Sequence, residues 1–164
     1  NKNEKYIFVY DFDRNELIKE IALKIAKERN LSIYTVFKCD YSDKVIKRMG
    51  PIDFISYIKN AEFVISNSFH GTAFSIIFEK QFVVVNRKEA INTRMRDLLR
   101  ILNIEDRIIS ECYDLNNIIE ETDYKILEKN LTKKIKLSKE YLKEVTSNKN
   151  QLGDFNEEKT IVCN

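Results

Sequence analysis

Short apolar runs alternate with amphipathic stretches along the first two thirds of the chain. Residues 6–10 are aromatic and β-branched without polar alternation, which is typical of a strand buried on both faces. Apolar residues then recur at helical spacing. This predicted helix begins after Asp13, which forms a capping-box pattern with Glu16, and stops at Asn30. A second strand over 31–37 completes a β-α-β unit.

The same alternation continues to residue 109. Gly50-Pro51 predicts the start of a short helix, because proline suits the first helical turn, and Ile52, Ile55 and Ile58 fall on one face of it. A polar loop containing Gly71 is predicted before a largely apolar, buried helix. The further predicted strands are 63–65, 82–85 and 108–109, and the further predicted helices are 72–78 and 93–102.

Strands that alternate with helices at this pitch indicate a parallel sheet with right-handed crossovers. The short strands lack polar alternation, as expected when helices cover both faces of the sheet. We therefore predict an α/β, Rossmann-like parallel sheet of about four to five strands flanked by helices.

The C-terminal part has a different pattern. Residues 123–145 predict a long, lysine-rich amphipathic helix, and residues from 147 onward show no clear period, which indicates a loop or tail. We divide the chain into a Rossmann-like domain (1–122), a long helix packed on it (123–147) and a tail (148–164). The chain opens almost directly on a strand, so we expect a piece of a longer protein.

Composition narrows the classes of partner. The 28 lysines and arginines nearly cancel 26 aspartates and glutamates, so the net charge of +2 gives no electrostatic reason to expect nucleic acid. Three scattered cysteines and one histidine argue against a structural zinc site, and we expect no metal and no cofactor. No run is long enough to span a membrane. We expect a cytoplasmic protein and leave open a peripheral association with the inner membrane face.

The richest candidate chemistry lies between a buried strand and the following helix. Ligands of open α/β sheets bind beyond the carboxyl ends of strands, where helix N-termini present free N–H groups. His70 is the only histidine, and histidine ordinarily changes charge near neutral pH, which suits a general acid or base. A packing or capping role for His70 is an equally good interpretation at this point. Its polar or small neighbours are Asn67, Ser68, Gly71 and Thr72.

Cations follow the next predicted strand. Arg87 and Lys88 come directly after it, and Asn92 and Arg94 flank the start of the next helix. Each alone is best read as a solvated surface residue, but together beside His70 they indicate an anion site. The chain has no GxGxxG, GxxxxGK[ST] or GxSxG motif, and its three glycines exclude a glycine-rich nucleotide loop.

The strings Gly50-Pro51-Ile52-Asp53-Phe54-Ile55-Ser56-Tyr57-Ile58-Lys59-Asn60-Ala61 and Asn67-Ser68-Phe69-His70-Gly71-Thr72 resemble the C-terminal region of the polysaccharide pyruvyl transferase family. The resemblance is good over residues 45–107 and extends to 5–37 in pattern only. Many family members have an arginine two positions before the histidine. This chain has Ser68 there, so one expected anion contact is in doubt.

The resemblance implies a fold similar to the C-terminal half of GT-B enzymes, with the active site in the cleft between two Rossmann-like halves. It also implies transfer of pyruvate from phosphoenolpyruvate to a sugar hydroxyl of a cell-surface or exported polysaccharide, forming a ketal. The partners implied are phosphoenolpyruvate, a glycan or lipid-linked sugar acceptor, and an N-terminal domain. The resemblance implies that the acceptor lies mainly against this N-terminal domain, which we expect to be absent from the chain. His70 corresponds to the family's general acid or phosphate donor. Donor binding is assigned to Asn67, Ser68, Gly71, Thr72, Arg87, Lys88, Asn92 and Arg94.

Two alternatives remain open. A nucleotide-sugar glycosyltransferase half would use the same turn for a diphosphate, but it needs a ribose-binding acid, and neither Glu89 nor Glu105 is convincing. A non-catalytic module would keep the fold and use the lysine-rich helix to dock a partner, because fold does not determine function.

Overall fold

A computed structural model describes residues 4–11, 13–86, 93–109 and 121–153. It divides into two units, residues 1–123 and 124–164. The first unit contains strands and helices in alternation. They are β1 (Tyr6–Tyr10), α1 (Glu16–Arg29), β2 (Ser32–Thr35), β3 (Lys44–Val45), α2 (Pro51–Asn60), β4 (Phe63–Ser66), α3 (Phe69–Ile77), β5 (Gln81–Val85), α4 (Thr93–Leu102), a 3₁₀ turn (Glu105–Arg107) and β6 (Ile108–Ile109).

The six strands form one parallel sheet in the order β3-β2-β1-β4-β5-β6. The predicted fold class is confirmed, with one strand more than the four to five expected. The unpredicted strand is β3, which lies in a polar stretch. It is a two-residue edge strand that pairs with β2, and its Lys44 is exposed. Because neither residue is fully buried, the sequence has no apolar run here that would predict a strand.

One face of α1 and the central strands build the core of this unit. The helix contributes Ile18, Ile21, Ala22 and Ile25, all with no exposed surface. Each large aliphatic side chain buried this way stabilises the fold by about 1.5–3 kcal/mol. They pack against β-branched and aromatic residues of β1, β4 and β5. The helical periodicity read from the sequence therefore marks the buried face correctly.

The ends of α1 show one wrong prediction and one confirmed prediction. The N-cap is Asn15, whose side-chain oxygen accepts from the Leu17 N–H at 2.9 Å, and not Asp13. The Asp13 N–H instead donates to the side chain of Asp11, so the chain makes another turn before the helix starts. Asn30 ends the helix in the left-handed conformation, as predicted.

The other boundaries differ modestly. β2 is shorter than the predicted 31–37. In α2, which starts at Pro51 as predicted, Ile58 is buried but Ile52 is 83% exposed, so the shared face is covered only towards its C-terminal end. α4 and β6 have the predicted bounds.

The described residues of the second unit form the helix α5 (Tyr124–Gly153). The predicted helix ended near residue 145, so the loop or tail predicted from 147 onward is wrong as far as Gly153; residues 154–164 lie outside the described part of the chain. The predicted packing of this helix on the domain remains a prediction. No helix among the described residues is long and apolar enough to cross a membrane.

The junction of β4 and α3 is tighter than predicted. α3 begins at Phe69 rather than at Thr72, so Gly71 belongs to the first helical turn, and its φ is not positive. A Cβ atom on Gly71 would lie 2.9 Å from the Cβ of Ser66 and closer still to its Oγ. Glycine is therefore required for close packing of helix on strand.

We expect Gly71→Ala to destabilise the fold. Overpacking costs about 1–3 kcal/mol, which outweighs the roughly 1 kcal/mol of helix propensity that alanine offers at most. Urea unfolding should show a lower midpoint. Gly50→Ala is the control, because its Cβ would meet nothing closer than 3.4 Å. In a Ser66→Gly background the cost of Gly71→Ala should fall, and an unchanged cost would contradict the proposed clash.

Stability should also decline at alkaline pH because of buried tyrosines. Tyr6 and Tyr34 stack with ring centroids 4.2 Å apart. Burial raises the pKa of Tyr34 to about 12, helped by the hydrogen bond to Glu4, and burial also raises the pKa of Tyr6. A raised pKa means that folding favours the neutral phenol, so stability is complete below about pH 10 and is lost as pH rises towards 12.

Urea titrations at several pH values measure this loss. Tyr34→Phe should make the free energy of unfolding less dependent on pH between 10 and 12, because phenylalanine cannot ionise. Tyr141→Phe, at a 65% exposed position, should leave the pH dependence unchanged. A wild-type protein equally stable at pH 8 and pH 12 would show that these phenols do not control alkaline stability.

Candidate active site

The topological switch point of the sheet lies between β1 and β4. These strands are neighbours, but from β1 the chain continues to β2 on one side, and from β4 it continues to β5 on the other. Loops diverge at the carboxyl ends of such strands and leave a crevice, which is where open α/β sheets bind ligands. Tyr10 pairs with Ser66 at this edge, so the segments after both residues start side by side.

Ser66 connects the two strand ends. Its hydroxyl donates to the Tyr10 carbonyl at 3.1 Å, and its oxygen accepts from the Ser68 N–H at 3.0 Å. The chain passes from β4 into α3 with only Asn67 and Ser68 between them. His70 is consequently on the first turn of a helix that points its N-terminus at the switch point.

His70 is exposed, and the ring of its neighbour Phe69 contacts both the His70 ring and a cation, Arg94. The rings of Phe69 and His70 meet edge to face at 5.9 Å, and the guanidinium carbon of Arg94 lies 5.4 Å from the centre of the Phe69 ring. Arg94 belongs to the first turn of α4, which reaches α3 through a contact between Thr72 Oγ1 and Met95 Sδ at 3.6 Å. The structure therefore brings Arg94 to the His70 turn, as the sequence analysis expected of this residue.

The other candidate donor-binding residues fall into two groups. Asn67, Ser68, Gly71 and Thr72 are all buried, and the Thr72 hydroxyl donates to the Ser68 carbonyl at 3.0 Å. Thr72 therefore lies within α3, and Ser68 occupies the N-cap position. Arg87, Lys88 and Asn92 lie outside the described residues. The assignment of these seven residues to donor binding remains a prediction.

Asp11 is the residue that sequence analysis missed. It directly follows β1 and is only 6% exposed. Its carboxylate accepts hydrogen bonds from the backbone N–H groups of Asp13 and Asn15, each at 2.8 Å, and from the side-chain amide of Asn67 at 2.6 Å. It thereby joins the loop after β1 to the loop after β4. The available signal was its position, an acid at the carboxyl end of a buried strand.

A cavity of about 310 Å³ opens on the β2 side of Asp11. It is formed by the loop after β1, the start of α1 and the segment after β2. Its charged lining includes a short ion pair, Lys19 Nζ to Asp40 Oδ2 at 2.7 Å. This pairing raises the pKa of Lys19 and lowers that of Asp40. Burial, together with the neighbouring Cys39, raises the pKa of the Tyr41 phenol in the cavity wall.

The site offers no evident metal centre. Within the described ranges, no three histidine, cysteine, aspartate or glutamate side chains come together in a way that would hold a metal ion. Asp11 and Asp13 are close, but both carboxylates face the amide of Asn67, and the Asp11 oxygens are engaged by N–H donors.

Comparison with known proteins places this geometry in context. A family model described as polysaccharide pyruvyl transferase matches residues 1–89, which include Asp11 and His70. Among solved structures, the crystal structure of UDP-GlcNAc 2-epimerase from Neisseria meningitidis bound to UDP-GlcNAc is similar, with a TM-score of 0.51 and 14% identity over 87% of this chain. At that identity the likeness shows the fold alone.

The chain spans 39% of the length of that epimerase chain. A comparison with curated proteins found no match. The family model covers 89 of the 164 residues, including β1 and β4 and both segments that meet at the switch point. The chain belongs to the polysaccharide pyruvyl transferase family.

Proposed function

We propose that this chain carries the phosphoenolpyruvate site of a polysaccharide pyruvyl transferase, with His70 as the general acid. The observation that supports this most directly is the position of His70. Its imidazole is exposed on the first turn of α3, at the switch point of the sheet, one aromatic ring away from the guanidinium of Arg94.

The electrostatics of the turn suit a ligand with two anionic groups. The first N–H groups of a helix have no intrahelical acceptor, and within the described residues Ser68 provides no side-chain cap for α3. These N–H groups and the helix dipole attract a phosphate or a carboxylate. Arg94 adds a guanidinium whose fork matches either group. The carboxylate and phosphate of phosphoenolpyruvate would then have separate partners.

The hydrogen bonds of Asp11 support the same role. A carboxylate near a dianionic ligand would repel it, but this carboxylate accepts from three N–H donors, and the bonds compensate its charge. The same bonds fix the two loops before the ligand arrives. A preorganised site costs little reorganisation during reaction, which is how fixed donors stabilise developing charge.

The chemistry proceeds by acid catalysis. His70 delivers a proton to the methylene carbon of the enol phosphate, which becomes a methyl group, and cationic character develops at C2. A sugar hydroxyl oxygen bonds to C2 and gives up its proton, which can return to the imidazole. The bond between C2 and the phosphate oxygen then breaks, phosphate leaves with the bonding electrons, and a second hydroxyl of the same sugar bonds to C2 and loses its proton, which closes the ketal. The acceptor, a glycan or lipid-linked sugar, would lie mainly against the other half of the cleft. Because phosphoenolpyruvate is a cytoplasmic metabolite, the proposal implies a cytoplasmic enzyme. The proposal includes no cofactor, since phosphoenolpyruvate itself supplies the pyruvyl group.

Replacing the imidazole should abolish most activity without affecting the fold. In an enzyme that includes both halves of the cleft, we expect His70→Ala to lower turnover by about 10²–10⁴-fold, the usual contribution of a positioned acid or base. The thermal midpoint should not change, because the side chain is exposed. Ile77→Ala, at a 62% exposed position of the same helix, is the control. Turnover equal to wild type in His70→Ala would exclude the acid role.

Arg94 should matter for donor binding while its neighbour should not. In calorimetric titrations of this chain with phosphoenolpyruvate, Arg94→Gln should raise the dissociation constant about tenfold or more. A hydrogen bond to a charged group contributes about 1.5–3 kcal/mol, and a tenfold change in the dissociation constant corresponds to about 1.4 kcal/mol. The control is Arg96→Gln, because Arg96 has the same charge as Arg94, is also exposed and lies on the same helix. This variant should bind phosphoenolpyruvate like wild type.

Parallel titrations with nucleotide diphosphates test the glycosyltransferase alternative. Stabilisation by ligand is measurable as a shift in the thermal midpoint. Preference for a nucleotide diphosphate over phosphoenolpyruvate would contradict the proposed donor. Absence of binding by both would contradict the proposal that this half holds the donor by itself.

A further inference from the structure

The cavity beside Asp11 lies outside the site described so far. It sits at the carboxyl ends of β1 and β2, whereas His70 follows β4 on the other side of β1. Among the described residues, none from 66 to 72 contributes to its wall. Its volume of about 310 Å³ is within the range of small-molecule pockets. Neither the proposed acid, His70, nor the proposed contacts to the pyruvyl donor explain why this cavity exists.

The wall of this cavity is partly apolar and partly cationic. The apolar part comes from the end of β1, the end of β2 and the following loop: Val9, Val36, Phe37 and Tyr41. Three cations reach the cavity, but Lys19 is paired with Asp40 at 2.7 Å. Arg14 and Lys38 have no acidic partner within the described part of the chain. Of the remaining acids in the lining, Asp11 is engaged by N–H donors, which leaves Glu16 on the exposed first turn of α1.

Arg14 is held in a backbone conformation that arginine rarely adopts. Its φ is 50°, in the left-handed region. The carboxylate of Asp11 accepts from the N–H groups on both sides of it, Asp13 and Asn15, at 2.8 Å each. Strained residues of this kind persist where the surroundings over-determine them, and they cluster at ligand clamps. The turn therefore presents the Arg14 side chain to the cavity from a fixed backbone.

We propose that this cavity binds a small organic anion, with one phosphate or carboxylate group and an apolar or aromatic body, at a site separate from that of the pyruvyl donor. Arg14 and Lys38 contact the anionic group. The body of the ligand packs against Phe37 and the aliphatic residues of the two strand ends. Phosphoenolpyruvate does not fit this description, because it lacks an apolar body.

Cys39 supplies the measurement, because it lines the cavity and is partly exposed. The rate of its alkylation by iodoacetamide, followed by mass spectrometry of its peptide, reports whether the cavity is occupied. Phenyl phosphate is the probe, since it combines an aromatic ring with a phosphate. We expect it to slow alkylation of Cys39 severalfold. Inorganic phosphate lacks the ring and benzyl alcohol lacks the charge, so each should protect much less.

Arg14→Asn tests the proposed contact without adding backbone strain, because asparagine tolerates the left-handed region. The phenyl phosphate concentration that protects Cys39 should rise about tenfold or more, as expected for loss of a charge-assisted hydrogen bond. Lys38→Gln should weaken protection as well. The matched control is Arg48→Asn, because Arg48 also has a left-handed φ, 56°, but does not line the cavity.

Three results would overturn the proposal: no protection by millimolar phenyl phosphate, equal protection by benzyl alcohol, or undiminished protection in Arg14→Asn. Saturating phosphoenolpyruvate provides a further arm. If it protects Cys39 as well as phenyl phosphate does, the cavity is part of the donor site and the proposed separate site is wrong. Because the measurement does not use pyruvyl transfer, its outcome is independent of whether His70 is the general acid.

Discussion

The buried carboxylate of Asp11 is the interaction on which the candidate site depends. It sits at the end of the central strand and accepts hydrogen bonds from both loops that leave the switch point. A buried carboxylate is stable only when such donors satisfy it, and losing one partner would leave a costly unpaired group. The position of Asn67, the start of α1 and the backbone of Arg14 therefore all follow from one side chain.

The parallel sheet explains why chemistry gathers at this edge. Every strand in it runs the same way, so every following helix presents its N-terminus at the same side. α3 reaches that edge after a connection of only two residues, because Gly71 has no Cβ to strike Ser66. This close packing places the imidazole of His70 on a helical first turn, where N–H groups and a guanidinium are also available. The same backbone geometry thus supplies the proposed proton donor and the proposed anion partners.

The two proposed ligand sites share Asp11 but differ in character. On the β4 side, an exposed imidazole, helix N–H groups and Arg94 form an open polar surface, which suits a small dianion at the face of a cleft. On the β2 side, a cavity with partly apolar walls suits an anion with an organic body, because two of its cations have no acidic partner in the described part of the chain.

Sequence alone determined the fold class and most elements, because burial imposes local periodicity on strands and helices. It also indicated the edge of the sheet where the candidate site lies, because strand ends define that edge. The bounds of β1, α4 and β6, the C-cap at Asn30 and the candidates His70 and Arg94 came from such local patterns. Tertiary structure alone decided the edge strand β3, the early start of α3 and the N-cap at Asn15. The role of Asp11 was also decided by the tertiary structure, since the amide of Asn67, which donates to its carboxylate, is 56 residues away in sequence. Hydrogen bonds between distant segments leave no period in the sequence, so only the folded chain reveals them.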